Sequence, residues 1–244
     1  MKKAICLLTK SPNEIWLEFL NRFSNYDVFI IIDDNLCKYN TVYANITLIQ
    51  IDNEFCYKNG YKNCISAVEF PEVTAWDKAL YLMNEVETKY EHVWFIEDDV
   101  FLSGESALLN IDAAYENSDL LSAFHHINRE TDTNSWNNWW NHWVNIVHKL
   151  DLPWAHSMVC ACRLSRTMLD DVVKYKNKKG SLCFIEAMFN TIALHKGLVV
   201  DNPPELSTIH WRANWDINEI NPNNLYHPMK NISEHKIIRD KCSF

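Results

Sequence analysis

Three carboxylates in a row close an apolar run. Val93-Trp94-Phe95-Ile96 leads straight into Glu97-Asp98-Asp99, and apolar residues resume at Val100-Phe101-Leu102. Carboxylates this close repel one another unless something positive lies among them. A divalent cation fills that role, because it takes hard oxygen ligands. The apolar run has the length and the aromatic and β-branched content of a buried strand. Strand geometry then puts Glu97 and Asp99 on one face and Asp98 on the other. Two readings stand at this point: an acid-x-acid pair offered to a metal at a strand end, or the start of a solvated turn.

Other residues with chemical potential fall at comparable places. Thr9 and Asp33 each close an apolar run, as Glu97 does. Glu186 sits among Phe184, Ile185 and Phe189, where an acid gains a raised pKa and can act as a base. It is equally an acid in the first turn of a helix, where the dipole favours it. Lys78 lies in another first turn, where a cation is slightly disfavoured; it is either solvated or set to meet a phosphate. Late in the chain come His210-Trp211-Arg212 and Tyr226-His227-Pro228-Met229-Lys230. Between His125 and Trp154 lie Trp136, Trp139, Trp140, Trp143 and Trp154, among many Asn and His residues. Trp139 and Trp143 at helical spacing suit a short helix packed on the core. The same residues also suit the wall of a cleft for a sugar, whose CH face stacks on indole while its hydroxyls need donors and acceptors.

The elements that must position these residues alternate. Lys3 to Thr9 reads as a strand, and Ser11-Pro12-Asn13-Glu14 as a helix start capped by Ser11. Asp27 to Ile32 and Ile46 to Ile51 read as strands, and residues 53 to 74 as irregular. Thr74 and Asp77 form a capping box for a helix to about Glu87. After the Val93 strand come a helix over 105–115, a strand over 119–124 and an apolar strand over 158–164. Ser165 caps a helix to about Tyr175, and a helix over 184–195 is stopped by Gly197. Short strands over 198–200 and 206–211 complete the pattern. Such alternation argues for an α/β fold with a mainly parallel sheet covered by helices. Ligands of such sheets bind beyond the carboxyl ends of the strands, where Thr9, Asp33 and the Glu97 cluster all fall.

Bulk properties narrow the function. The chain of 244 residues has a formal charge of -9, which argues against general nucleic-acid binding. Its four glycines, at 60, 104, 180 and 197, never cluster, so a dinucleotide fingerprint and a P-loop are excluded. Any nucleotide must be held another way, and metal with carboxylates is one. The eight cysteines match no zinc pattern of the CxxC type, and several lie in apolar runs, which points to reduced thiols. No secretion signal and no run of transmembrane length is seen, so the expected location is cytoplasmic, with no membrane span.

In this layout the chain resembles a GT-A type glycosyltransferase, of the small kind found in large DNA viruses and bacteria. The features that carry the resemblance are the opening strand-helix-strand ending Ile32-Asp33-Asp34, the helix Ala75-Trp76-Asp77-Lys78-Ala79-Leu80, the acids Glu97-Asp98-Asp99, and the late His227-Pro228-Met229-Lys230. The resemblance implies a GT-A-like, Rossmann-like sheet flanked by helices, with a Trp-rich insertion. It implies one domain over 1–244, with 1–102 as the nucleotide-binding part and 103–244 as the acceptor-binding part. It also implies transfer of a sugar from a nucleotide-diphosphate sugar, of the UDP type, to a glycan or other hydroxyl acceptor, assisted by Mn2+ or Mg2+. By the same resemblance, Asp99 and His227 are metal ligands, with His210 a rival to His227. Thr9, Asp33, Lys78, Glu97, Asp98 and Lys230 contact the nucleotide sugar. Glu186 is the catalytic base if the transfer inverts, a retaining transfer needing no such base and both being open at this point, and Trp211 and Trp154 meet acceptor or sugar. The chain departs from the family pattern in having Glu, not Asp, at the first motif position. Two other classes compete: a non-catalytic nucleotide-sugar or glycan-binding module, and a metal-dependent phosphohydrolase or nuclease.

Overall fold

The computed structural model describes residues 2–39, 42–65, 73–128 and 146–242. Its centre is a seven-stranded sheet. The strands are β1 (Lys3–Thr9), β2 (Asp27–Ile32), β3 (Ile46–Gln50), β4 (His92–Glu97), β5 (Leu120–Leu121), β8 (Ala161–Ser165) and β9 (Val200–Asp201), in the order β3-β2-β1-β4-β8-β5-β9. β3, β2, β1 and β4 run parallel; β8 is antiparallel to both β4 and β5, and β5 is parallel to β9. A separate antiparallel pair joins β6 (His126–Asn128) and β7 (Trp154–His156). The helices are α1 (Glu14–Leu20), α2 (Asn53–Lys58), α3 (Ala75–Tyr81), α4 (Glu105–Ala114), α5 (Arg166–Lys179), α6 (Ile185–Lys196) and α7 (Ile232–Cys242). The fold is therefore α/β, with a mostly parallel sheet flanked by helices.

Strand alternation sorts the core into two layers. Ala4, Cys6 and Leu8 of β1 and Val93 and Phe95 of β4 face α3, α5 and α6 through Trp76, Leu80, Met168 and Phe189. Ile5 and Leu7 of β1 and Trp94 and Ile96 of β4 face α1 and α4 through Trp16, Leu20, Leu108 and Ile111. The near-continuous apolar runs of these strands follow from burial on both faces. The same parity carries on past the end of β4 and decides where each acid goes.

Several boundaries differ from expectation. Asn13, not Ser11, caps α1, its side chain accepting from the Ile15 N–H at 2.9 Å; Asn caps as well as Ser does. The stretch expected to be irregular opens with α2, because the Asp52 side chain accepts from the Phe55 N–H and caps it. α3 carries on as a π-helical turn over Leu82–Val86. The strand expected over 206–211 is a 3-10 turn at Pro204–Leu206 followed by a single bridge from Ile209 to His227. α7 was not foreseen, since its polar sequence has little apolar periodicity. Of the Trp-rich stretch, Trp136, Trp139, Trp140 and Trp143 lie outside the described residues. Trp154 is buried in the core, its indole N–H donating to the Leu150 carbonyl at 3.0 Å. It therefore offers no face to a sugar, and the expectation for it is corrected. Among the described residues no helix is long and apolar enough to cross a membrane.

One buried network ties α4 to the sheet. Asp112 of α4 accepts from Arg163 of β8 at 2.8 Å, the Tyr26 hydroxyl at 2.7 Å and the Trp94 indole at 3.1 Å; Lys3 lies 2.9 Å away. The Asp112 and Arg163 side chains are fully buried. Burial pushes the Asp112 pKa up, but bonds from Arg163, Lys3 and Tyr26 outweigh it, and the net shift is downward. A lowered carboxylate pKa stabilises the fold above its unfolded value and loses that contribution as pH falls through the folded value. Removing one partner of such a pair strands the other charge, at a cost of about 3–5 kcal/mol. We therefore expect Asp112→Asn to lower the urea midpoint by that equivalent with an unchanged m-value.

Candidate functional site

The acids at the end of β4 part company as parity requires. Glu97 follows Val93 and Phe95 onto the α3 and α6 face, where the Trp76 indole donates to its Oε1 at 2.7 Å. Asp98 turns to the α1 face. Its backbone carbonyl accepts from the Trp16 indole at 2.9 Å, and its carboxyl meets the Thr9 hydroxyl. Asp99 stands with Glu97 in the wall of a cavity of about 1010 Å³. That volume is at the upper end of small-molecule sites, roughly 300–1,000 Å³.

The rest of the cavity comes from the second half of the chain. Cys160 lies next to Glu97 on the neighbouring strand line, its carbonyl accepting from the Glu97 N–H at 2.8 Å. Glu186 enters from the first turn of α6. Trp211, Arg212, Asn214, Trp215, His227, Lys230 and Glu234 line it as well. The late segment is pinned to the acids through its backbone: the Met229 N–H donates to the Asp99 carbonyl at 2.7 Å, and Phe101 bridges Tyr226. This pairing brings His227 over the carboxylates although 128 positions separate it from Asp99 in the numbering.

His227 is held in one orientation. Its Nδ1 lies 2.6 Å from the His210 carbonyl, which can only accept, so Nδ1 carries a proton. Nε2 then points at Asp99 Oδ1, 3.3 Å away, and Glu97 Oε2, 3.9 Å away. A backbone carbonyl fixing one ring nitrogen while the other faces carboxylates is the usual support of a ligating histidine. His210 acts through its carbonyl, and its own ring stacks on Trp215 at 5.6 Å. His227 is therefore the imidazole that reaches the acids. Glu97, Asp99 and His227 fit a divalent cation by their donor types. Glu97, Cys160 and His227 also offer ligand atoms all within 4.8 Å of one another.

The electrostatics of the wall run one way. Burial, then Asp99, raises the Glu97 pKa against the Trp76 bond that lowers it. Burial, then the Glu97 charge, pushes Glu186 well above its ordinary value. Burial, then Glu97, Glu186 and Asp99, raises the Cys160 thiol. For His227, burial pulls the pKa down, but Asp99, the His210 carbonyl and Glu97 together outweigh it and raise it.

The other expected residues lie elsewhere. Thr9 is buried at the end of β1, between the Ser11 carbonyl and Asp98. Asp33 closes β2, half-exposed, and Lys78 is fully buried with Nζ 2.7 Å from the Asp33 carbonyl and 3.2 Å from Asp33 Oδ1. Lys78 thus braces the end of β2 and presents no ammonium to solvent. None of Thr9, Asp33, Lys78 and Asp98 lines the cavity. Trp211, exposed, does. Sequence reasoning missed Cys160, whose place opposite Glu97 depends on strand register, and Arg212, a cation carried on a loop. The Trp76 bond to Glu97 depends on how α3 packs on β4, which the sequence pattern does not mark.

No protein-family model matches the chain, and no curated protein matches it. Among solved structures, it is similar to the X-ray structure of the mannosyltransferase Ktr4p from S. cerevisiae. The identity is 11%, over 79% of this chain and 65% of that one, with a TM-score of 0.39. The chain thus spans about two thirds of that neighbour's length.

The raised His227 pKa carries a pH signature. A raised histidine contributes stability fully below its unfolded pKa, about 6.5, and loses it as pH rises through the folded value. In metal-free protein we expect the His227 imidazole resonances to titrate above that ordinary value. In Asp99→Asn, where burial is left with less opposition, they should titrate lower than in the unsubstituted chain, measured by NMR.

Proposed function

We propose that this chain is a glycosyltransferase that moves a sugar from a nucleotide-diphosphate sugar, of the UDP type, to a hydroxyl acceptor such as a glycan. The observation that carries the reading is the convergence in one cavity of Glu97 and Asp99 from a strand end, His227 and Lys230 from the late segment, and Glu186 from a helix start. On this reading 1–102 and 103–244 are the donor and acceptor parts of one domain.

The chemistry follows from charge. Departure of a nucleoside diphosphate concentrates negative charge on its phosphate oxygens, and preorganised positive groups lower that barrier. A divalent cation, Mn2+ or Mg2+, would be held by Glu97, Asp99 and His227; it would supply Lewis-acid charge there and counter the Glu97 charge that adds to burial in raising Glu186. Arg212 and Lys230, both exposed in the cavity lining, bind the diphosphate. Asp33, at the end of β2 and separated from β4 by β1, is left for the base or ribose. Trp211 offers an indole face to the transferred sugar or the acceptor. Glu186, once ionised, takes the acceptor hydroxyl proton on a carboxylate oxygen in an inverting transfer.

The test is release of nucleoside diphosphate from a panel of nucleotide sugars in the presence of manganese. Turnover is expected for one donor, and Asp99→Ala should reduce it by about 10²-fold or more, the scale of losing a charge-stabilising group. Glu186→Gln should abolish transfer and leave donor affinity, measured by calorimetry, within about twofold. Tight donor binding with no turnover on any acceptor would mark a binding module. Phosphodiester cleavage without nucleotide-sugar binding would mark a phosphohydrolase.

A further inference from the structure

Cys160 is the cysteine that the cavity selects. Seven cysteines are described, none in a disulfide, and Cys160 alone of them lines the cavity. It precedes β8, which pairs antiparallel with β4 in the register Ile96 to Ala161, so the next pair along is Glu97 with Cys160. Directly opposed residues on adjacent strands project to one side with Cβ atoms about 4.5–5.5 Å apart. The Cys160 thiol accordingly sits beside the Glu97 carboxylate, and its hydrogen bond there lowers the Glu97 pKa against burial. The His227 imidazole approaches from the third side, and all three ligand atoms fall within 4.8 Å of one another.

A tetrahedral zinc bonded at about 2.0–2.3 Å holds its donors roughly 3.5 Å apart. The 3.3 Å from His227 to Asp99 and 3.9 Å to Glu97 are close to that scale, and the Cys160 sulfur lies within 4.8 Å of the Glu97 and His227 ligand atoms. A set of one thiol, one imidazole and carboxylates is not the all-oxygen set that magnesium requires. Thiolate ligands favour softer ions such as zinc.

We propose that Cys160 is a metal ligand, and that Glu97, Asp99, Cys160 and His227 form a mixed sulfur, nitrogen and oxygen site preferring zinc-like ions to magnesium. The proposal rests on the metal-centred reading of the cavity but not on sugar transfer. Coordination releases the thiol proton to solvent and removes the hydrogen bond to Glu97, whose oxygen turns to the ion instead.

The test uses cobalt as a spectroscopic stand-in for zinc, with the full chain reduced and metal-free. Cys37, the exposed thiol, is replaced as Cys37→Ser to suppress binding off the site. Cobalt should produce a saturable near-ultraviolet thiolate-to-metal band that zinc abolishes and excess magnesium does not. Cys160→Ser in the same background should lose the band. Its zinc affinity should fall by more than the roughly 10–100-fold that loss of an outer-shell partner costs. A second measurement needs no substitution at the site: zinc should slow alkylation of Cys160, followed by mass spectrometry, and magnesium should not. Saturable cobalt binding without the band, a band that survives Cys160→Ser, or equal alkylation with and without zinc would each overturn the proposal. Such results would leave manganese-dependent transfer standing. A sulfur band in a chain with no nucleotide-sugar turnover would uphold the site and sink the transferase.

Discussion

Crowded negative charge at the carboxyl end of β4 is the constraint on which the site depends. Two unit charges 4 Å apart repel by about 4 kcal/mol at the effective dielectric near a protein surface. The fold answers by separating three adjacent acids. Asp98 goes to the other side of the sheet, to Thr9 and Trp16, while Glu97 takes the Trp76 indole and Asp99 faces His227. Glu186 nevertheless enters the same cavity from α6 and Glu234 lines it too, so four carboxyl groups share the lining with the His227 imidazole, Arg212 and Lys230. The pKa values of Glu97, Glu186, Cys160 and His227 are all raised. Burial, with neighbouring carboxylates, raises the first three; for His227 burial pulls down, and Asp99, the His210 carbonyl and Glu97 outweigh it. A cavity with this excess potential is poised for a cation, and the positive rim of Arg212 and Lys230 is poised for an anion beside it.

The sheet makes this arrangement from two distant parts of the chain. Parallel strands β1, β2 and β4 bring Thr9, Asp33 and Glu97 to one edge. Antiparallel β8 reverses the polarity, so the residues before it, not after it, meet that edge, and Cys160 arrives beside Glu97. The late segment then ties itself to the loop after β4 through Met229 to Asp99 and through Phe101 to Tyr226. The buried Asp112 to Arg163 pair fixes α4 against the same strands from the opposite face.

What was legible in the sequence was whatever local pattern determines. The apolar runs located β1 and β2 to the residue, and capping residues such as Thr74 and Ser165 located the starts of α3 and α5. Parity alone separated Asp98 from Glu97 and Asp99. The departures all depend on tertiary context. The antiparallel direction of β8 leaves no mark in an apolar run, so Cys160 read as core. Lys78 looked available because its first-turn position says nothing of the β2 carbonyls that occupy it. Trp154 and Trp211 look alike as tryptophans, yet one lies under α6 in the core and the other stands exposed at the cavity mouth. His210 and His227 were indistinguishable until one ring was found on Trp215 and the other over Asp99.

On the proposed function a divalent ion and a diphosphate meet at the end of β4. Anomalous diffraction from crystals grown with manganese and a uridine diphosphate sugar tests it most directly. We expect an anomalous peak bounded by Glu97, Asp99 and His227, with the diphosphate between that peak and Arg212 and Lys230. A nucleotide bound elsewhere on the sheet, or a diphosphate in the cavity with no peak at those three residues, would contradict it.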